Sequence, residues 1–370
     1  MLQRIANLKK RGQLLRGLVN GQAAFTGPYY LDVEVTRRCN MYCLGCQFHA
    51  SKSWGAAPGD HAVKDISLSL VERLSRELSR LCVREVIVIG EGEPLLHPQL
   101  FDIIAAFKHA GCGVQIFTNG TLINENVARS ILDSGLDVLK VSLWASNLED
   151  YKKNHPGVNP KNFLKTMDGV KMVAALKKAR GSKRPAIILT QPLNRYNYRP
   201  VSARTALAQS LGCDGVRFSC FNAWQEEFAD ADLTAKEIDI LRKELIEAKK
   251  HLQAIPMVHN IDNVLLRYRL GEAAFRNIPC YAGWFYTRVK VDGTVLPCGF
   301  CYFPLGNLTE SSFEEIWNGA EYRSFRSRSS TLKGLAALGD CCNCNWCCFV
   351  EDNFRVHKFL RWLAPLRGIG

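Results

Sequence analysis

Fifteen cysteines are spread unevenly over the 370 residues. Three form a C-x3-C-x2-C group at Cys39, Cys43 and Cys46, and eight fall between Cys280 and Cys348. The other four, Cys82, Cys112, Cys213 and Cys220, sit singly in helix- or strand-like contexts, where a small buried hydrophobe is the ordinary reading. The stretch Met1–Asn20 is broken by Lys9, Lys10, Arg11 and Arg16 and lacks the apolar core of a secretory signal. So many thiols without such a signal argue for metal thiolates rather than a disulfide framework. Three thiolates can hold three irons of a cubane and leave the fourth open to a small chelating ligand, which can then receive an electron. A closed zinc site needs a fourth ligand, and His49 is the nearby one.

A second set of residues suits ligand binding. Ile89-Gly90-Glu91-Gly92-Glu93-Pro94-Leu95-Leu96-His97-Pro98 follows a strand pattern. Its glycines admit close backbone approach, and its carboxylates can accept from an ammonium group. Downstream, Cys280 and Cys298 flank a hairpin signal at Asp292-Gly293, with four residues between Gly293 and Cys298. A later C-x2-C, either Cys341/Cys344 or Cys344/Cys347, can complete a four-thiolate site with no open iron. Such a site suits electron transfer or structural support, and zinc also fits it.

These residues need a scaffold. Strand patterns occur at Tyr29–Thr36, Glu85–Ile89, Gly113–Thr118, Val138–Leu143, Ala186–Thr190 and Val216–Ser219. Between them lie amphipathic stretches at Leu68–Leu81, Gln99–Ala110, Asn124–Ser134, Asn162–Lys178 and Val201–Leu211. Alternation of this kind predicts parallel βαβ units with right-handed crossovers, in a curved barrel or an open doubly wound sheet. A charged helix follows at Thr234–Leu252, then the hairpin within Tyr286–Cys298 and a short helix over Ser312–Gly319. No run of about 18 apolar residues is present, so no spanning helix is expected. The net charge is +13, but no nucleic-acid module accompanies it, and a cytoplasmic protein is expected. Basic, apolar helices at Leu2–Leu18 and His357–Leu366 suit either docking on the fold or peripheral contact with the inner membrane surface.

The C-x3-C-x2-C spacing behind a first strand resembles the radical S-adenosylmethionine (SAM) superfamily. The resemblance implies an α/β fold with a partial (β/α)6 barrel and a [4Fe–4S] cluster on Cys39, Cys43 and Cys46. SAM would bind the open iron and be cleaved reductively to methionine and a 5′-deoxyadenosyl radical that takes hydrogen from a substrate. Gly92 and Glu93 match the family's GGE-type segment, which binds the SAM amino group; Glu91 replaces its first glycine. Asn119 and Ser142 resemble positions near the SAM ribose or carboxylate. The residue before the third cysteine is usually aromatic in the family and here is Gly45.

The second cysteine region resembles the SPASM/twitch extension, a small cysteine-rich hairpin and helix at the C-terminal end. It implies one auxiliary [4Fe–4S] cluster in the shorter twitch manner, or two, on ligands drawn from Cys280, Cys298, Cys341, Cys344 and Cys347. The expected organisation is a basic N-terminal helix over 1–28, the barrel over 29–255, the auxiliary domain over 256–350 and an amphipathic tail over 351–370. An electron donor such as flavodoxin or ferredoxin is implied. Fewer than 30 residues precede the first strand, which favours a small-molecule, sugar or lipid-linked substrate, oxidised, epimerised or rearranged. A SPASM-type peptide or protein side-chain maturase is the alternative, and a non-catalytic iron–sulfur electron carrier is the alternative of another class. Cys220, at the end of the sixth strand, is a candidate hydrogen donor for the epimerase route.

Overall fold

The computed structural model describes residues 2–49, 63–221, 223, 226–339 and 350–363. Helix α1 (Leu2–Asn20) precedes six βα units. The strands are β1 (Tyr30–Glu34), β2 (Glu85–Ile89), β3 (Gly113–Thr118), β4 (Val138–Ser142), β5 (Ala186–Leu193) and β6 (Gly215–Cys220). Helices α2 (Leu68–Arg80), α3 (Leu100–His109), α4 (Glu125–Asp133), α5 (Leu148–Asn154), α6 (Lys161–Ala179), α7 (Val201–Ser210) and α8 (Ala235–Leu252) lie between and after them. The chain continues through β7 (Val258–His259), α9 (Ile261–Arg276), α10 (Ala282–Phe285), β8 (Tyr286–Val289), β9 (Thr294–Leu296) and β10 (Gly306–Asn307). It ends in α11 (Phe313–Trp317), α12 (Ala320–Ser329), α13 (Leu332–Ala336) and α14 (Val350–Leu363).

Local chemistry accounts for the element ends. Ser67 caps α2 by accepting from the Leu70 N–H, and Asn124 caps α4 from Val127. Thr234 with Glu237, and Ser312 with Glu315, form reciprocal capping boxes at α8 and α11. On α2, Leu70, Val71, Leu74 and Leu78 form the buried stripe that the sequence periodicity predicts.

One ten-stranded sheet results, in the order β10-β9-β8-β1-β2-β3-β4-β5-β6-β7. Strands β1 to β6 are parallel, as expected, and the sheet does not close. Strand β8 pairs in parallel with β1, so the auxiliary hairpin prolongs the same sheet. Along each strand, one set of side chains (Leu31, Val33, Val86, Val88, Val114, Ile116, Leu139, Val141, Ile187, Leu189) is buried beneath the helices. The alternate set forms what is here called the inner face: Asp32, Glu34, Gln115, Phe117, Lys140, Ser142, Thr190, Arg217 and Arg288.

Among the described residues, no helix is long and apolar enough to cross a membrane. Trp362 on α14 is 67% exposed.

Candidate SAM and iron–sulfur site

The three cysteines of the first group lie on the loop that leaves β1, at the carboxyl end of the parallel strands, where α/β sheets place their ligands. The Gly-Glu segment is laced to this loop. Gly92 N–H donates to the Thr36 carbonyl at 3.1 Å and Glu93 N–H to the Arg38 carbonyl at 2.8 Å. A Cβ on Gly92 would overlap the Arg38 carbonyl, so only glycine permits this approach. Gly45 adopts φ 64°, in the left-handed region, within the Cys43–Cys46 turn. Its departure from the family's aromatic residue thus has a backbone reason.

Glu93 is 2% exposed and is the hub of the site. Its carboxylate accepts from Thr118 Oγ1 at 2.6 Å, Asn119 N–H at 2.6 Å and Leu95 N–H at 3.0 Å. Burial raises its pKa, and these three donors oppose the rise. Asn119 in turn donates from Nδ2 to Asn40 Oδ1 at 2.8 Å, next to Cys39. Gly92, Glu93 and Asn119 are therefore gathered around the cysteine loop. Ser142 stands two strands away, its Oγ accepting from Trp144 Nε1 at 2.7 Å. Trp144 packs edge-on to Phe221 with ring centroids 6.0 Å apart, and near His155 at 5.9 Å. It is a wall of the site's far end.

The thiols suit cluster ligation by the donors that surround them. Burial pushes Cys39 up to about 12, while the Met41 and Asn40 N–H groups pull it down. Burial likewise raises Cys46, opposed by the Phe48 and His49 N–H groups, the latter 3.3 Å from Sγ. For Cys43, burial acts first and the neighbouring Cys46 and Cys39 add to it, so the three sulfurs are close enough to repel as thiolates. Cys280 has the Ala282 N–H and Asn353 Nδ2, the latter at 3.8 Å, and Cys298 has the Phe300 N–H at 3.4 Å. Backbone N–H···S bonds of this kind stabilise thiolate ligands and tune iron–sulfur centres. Among the described residues, no three His, Cys, Asp or Glu side chains are already gathered as a set that could hold a single metal ion.

Cys280 and Cys298 are both buried at the ends of the β8–β9 hairpin. Cys341, Cys344 and Cys347 lie outside the described residues. Cys301 is 2% exposed, bridged through its backbone to Cys298 and disulfide-bonded in this structure, so its thiolate is a further candidate ligand only in the reduced state. Its C-x2-C spacing with Cys298 was the sequence signal for it.

Cys220 packs against α9. It shares the helix side of β6 with Val216 and Phe218, and its sulfur meets Tyr268 and Arg267 of α9. Residues Arg217 and Ser219 alternate onto the inner face instead. The α9 side chains and nearby Glu351 surround the buried thiol.

Sequence reasoning passed over an ion network that joins the two cysteine regions. Glu91 accepts from Arg37 Nε at 2.9 Å and from Lys290 Nζ at 2.8 Å. Arg288 on β8 reaches Asp32 and Glu34 on β1, each at 3.1 Å. Only tertiary pairing of β8 with β1 brings these groups together.

Two family models match the chain. The radical SAM superfamily model covers residues 33–174, and the SPASM model, an iron-sulfur cluster-binding domain, covers 280–345. The chain is a radical SAM enzyme with a SPASM iron–sulfur domain. Bound there, the SAM-site cluster supplies the electron that splits SAM into methionine and a 5′-deoxyadenosyl radical. Membership also implies auxiliary iron–sulfur clusters in the SPASM region.

The radical SAM enzyme is 24% identical over 332 residues to an AdoMet-dependent heme synthase of Methanosarcina barkeri, covering 85% of this chain and 89% of that protein. It is 26% identical over 301 residues to a PqqA peptide cyclase of Gluconobacter oxydans, covering 79% and 76%. Its fold matches Streptococcus suis SuiB bound to precursor peptide SuiA with a TM-score of 0.63 at 16% identity, covering 94% and 77%. It also matches anSMEcpe with bound AdoMet at a TM-score of 0.63 and 17% identity, covering 93% and 100%.

Proposed function

We propose that this enzyme acts on a side chain of a peptide or protein, with Cys39, Cys43 and Cys46 holding the SAM-site cluster. Glu93, Gly92 and Asn119 position SAM, and Ser142 lies toward its ribose. Cys280 and Cys298 contribute to an auxiliary cluster, joined by Cys301 and by members of the Cys341–Cys348 group. The observation that carries this reading is the similarity to PqqA peptide cyclases over about four fifths of the chain. The expectation of a sugar or lipid-linked substrate finds no such support. A small-molecule substrate remains as a second reading because of the AdoMet-dependent heme synthase relatives.

The test is co-expression with any short precursor-peptide gene found beside this one, followed by mass analysis of the peptide. A net oxidation removes two hydrogens. An epimerisation in deuterated water keeps the skeleton and adds one deuterium. An unaltered peptide, alongside 5′-deoxyadenosine formation stimulated by a porphyrin, would transfer the assignment to the second reading.

A further inference from the structure

The inner face carries a buried cation with no ion-pair partner among the described residues. Lys140 on β4 is 9% exposed, and no hydrogen bond or ion pair to its Nζ is found among the described residues. Its one neighbour of note is the Phe117 ring on β3, with Nζ 4.5 Å from the centroid. An ammonium this far from water costs several kcal/mol unless something repays it. Burial, and after it repulsion from Arg217 on β6, lowers its pKa to about 8. Asp32 on β1 and Glu85 on β2 pull the other way from a distance, but both are engaged elsewhere. Asp32 is taken by Arg288 and Tyr286, and Glu85 by Gln115.

Two further groups lie on the same face of neighbouring strands. Strand register sets Ser142 beside Thr190 and Thr190 beside Arg217, so Lys140, Thr190 and Arg217 occupy one patch of β4, β5 and β6. Thr190 is 7% exposed, and its Oγ1 is buried with no hydrogen-bond partner among the described residues. Arg217 forms no ion pair among the described residues; the nearby carboxylates of α14 are used by others, Glu351 by Arg267 and Asp352 by Arg355. A buried ammonium and an open guanidinium, both donors only, thus share one face with a hydroxyl that can also donate.

We propose that Lys140, Thr190 and Arg217 form a seat for a carboxylate of the substrate on the inner face of the sheet. One negative charge suits it, because Asp32 and Glu85 already offset part of the positive potential. The seat lies on β4–β6, while Gly92, Glu93 and Asn119 lie on the β2–β3 side. An anion held there would be anchored across the sheet from the SAM amino-group residues. The seat rests on the radical SAM reading and deepens the proposed function: the peptide would present an acidic side chain or a terminal carboxylate.

The probe is glutarate, a dicarboxylate that places one carboxylate in the seat and leaves the other in water as a side-chain mimic would leave its backbone, with its neutral diamide as control, titrated into anaerobic, cluster-loaded protein by calorimetry. Glutarate should bind and the diamide should not. Lys140→Met should weaken glutarate at least about tenfold, the scale of a lost charge-assisted hydrogen bond. Thr190→Val should weaken it less, and iron content should match the parent in both. The thermal midpoint of Lys140→Met should equal or exceed the parent's, because an unpaired buried charge has been removed. Equal glutarate affinity in Lys140→Met, tighter binding of inorganic phosphate than of glutarate, or a lowered midpoint overturns the seat. If glutarate binds through Lys140 but no peptide is altered, the seat stands and the peptide reading falls. A peptide altered equally well by Lys140→Met removes the seat and leaves the peptide reading intact.

Discussion

Lys290 Nζ lies 2.8 Å from Glu91 Oε1, and this contact ties the auxiliary hairpin to the loop that carries the Gly-Glu segment. Both side chains are largely buried, at 20% and 6% exposure. Glu91 stands where the family has a glycine, so the exchange has a structural use in this protein. Burial alone would raise its carboxyl pKa, but Lys290 and Arg37 outweigh that and hold it below the usual range. Replacing Lys290 by Met should therefore cost about 1–3 kcal/mol, read as a lower unfolding midpoint of the cluster-loaded protein. An unchanged midpoint would mean that the pair contributes nothing to joining the two regions.

Gly92→Ala should damage SAM binding more than folding. The added methyl meets the Arg38 carbonyl and must separate the Gly-Glu segment from the cysteine loop. Expected is near-complete loss of 5′-deoxyadenosine formation, with auxiliary iron retained. Activity close to the parent's would show that the segment can move without consequence.

Replacing Cys39, Cys43 and Cys46 together by Ala should abolish SAM cleavage and remove about four irons per chain, leaving the absorbance of the C-terminal centre. The complementary change, Cys298→Ala, should lower iron by about four and keep the SAM-site signal. The parent should hold about eight irons with one auxiliary cluster and about twelve with two. A total of about four would contradict an auxiliary cluster altogether.

Glu34 gives stability a pH dependence of definite sign. Burial pushes its carboxyl up to about 7; Arg288 opposes this, and the neighbouring Glu91 carboxylate adds to it. The folded protein thus keeps a proton that the unfolded chain releases near pH 4.5. Between those values the folded state binds more protons, so stability falls as pH rises through the window. Glu34→Gln should remove this component, and the difference in unfolding midpoint between parent and variant should change across about pH 4.5 to 7. A difference that is flat with pH would show that Glu34 is ionised throughout.

The sequence by itself determined the local and the periodic. Cys39, Cys43 and Cys46 were legible because their ligand spacing is fixed within one loop. The six strands and their helices were legible because burial on one side of a parallel sheet imposes period 2 and period 3.6 on adjacent segments. Expected and observed bounds differ by a few residues at most, and β2 and β3 agree end to end. Helices α5, α9, α10, α12 and α13 were not foreseen; α5 is about two turns long, too short to show a stripe, and its Asn147 cap is its main signal.

What only the tertiary structure decided is which distant groups meet. Nothing near Asp32 in the chain points to Arg288, since their contact depends on β8 lying beside β1 more than 250 positions later. Cys220, a candidate by its place at the end of the sixth strand, falls on the side of Val216 and Phe218 in the register of β6, because one residue of strand reverses the face. The same rule turned Lys140 inward between Leu139 and Val141, making an unremarkable lysine in the sequence into a buried, unpaired charge.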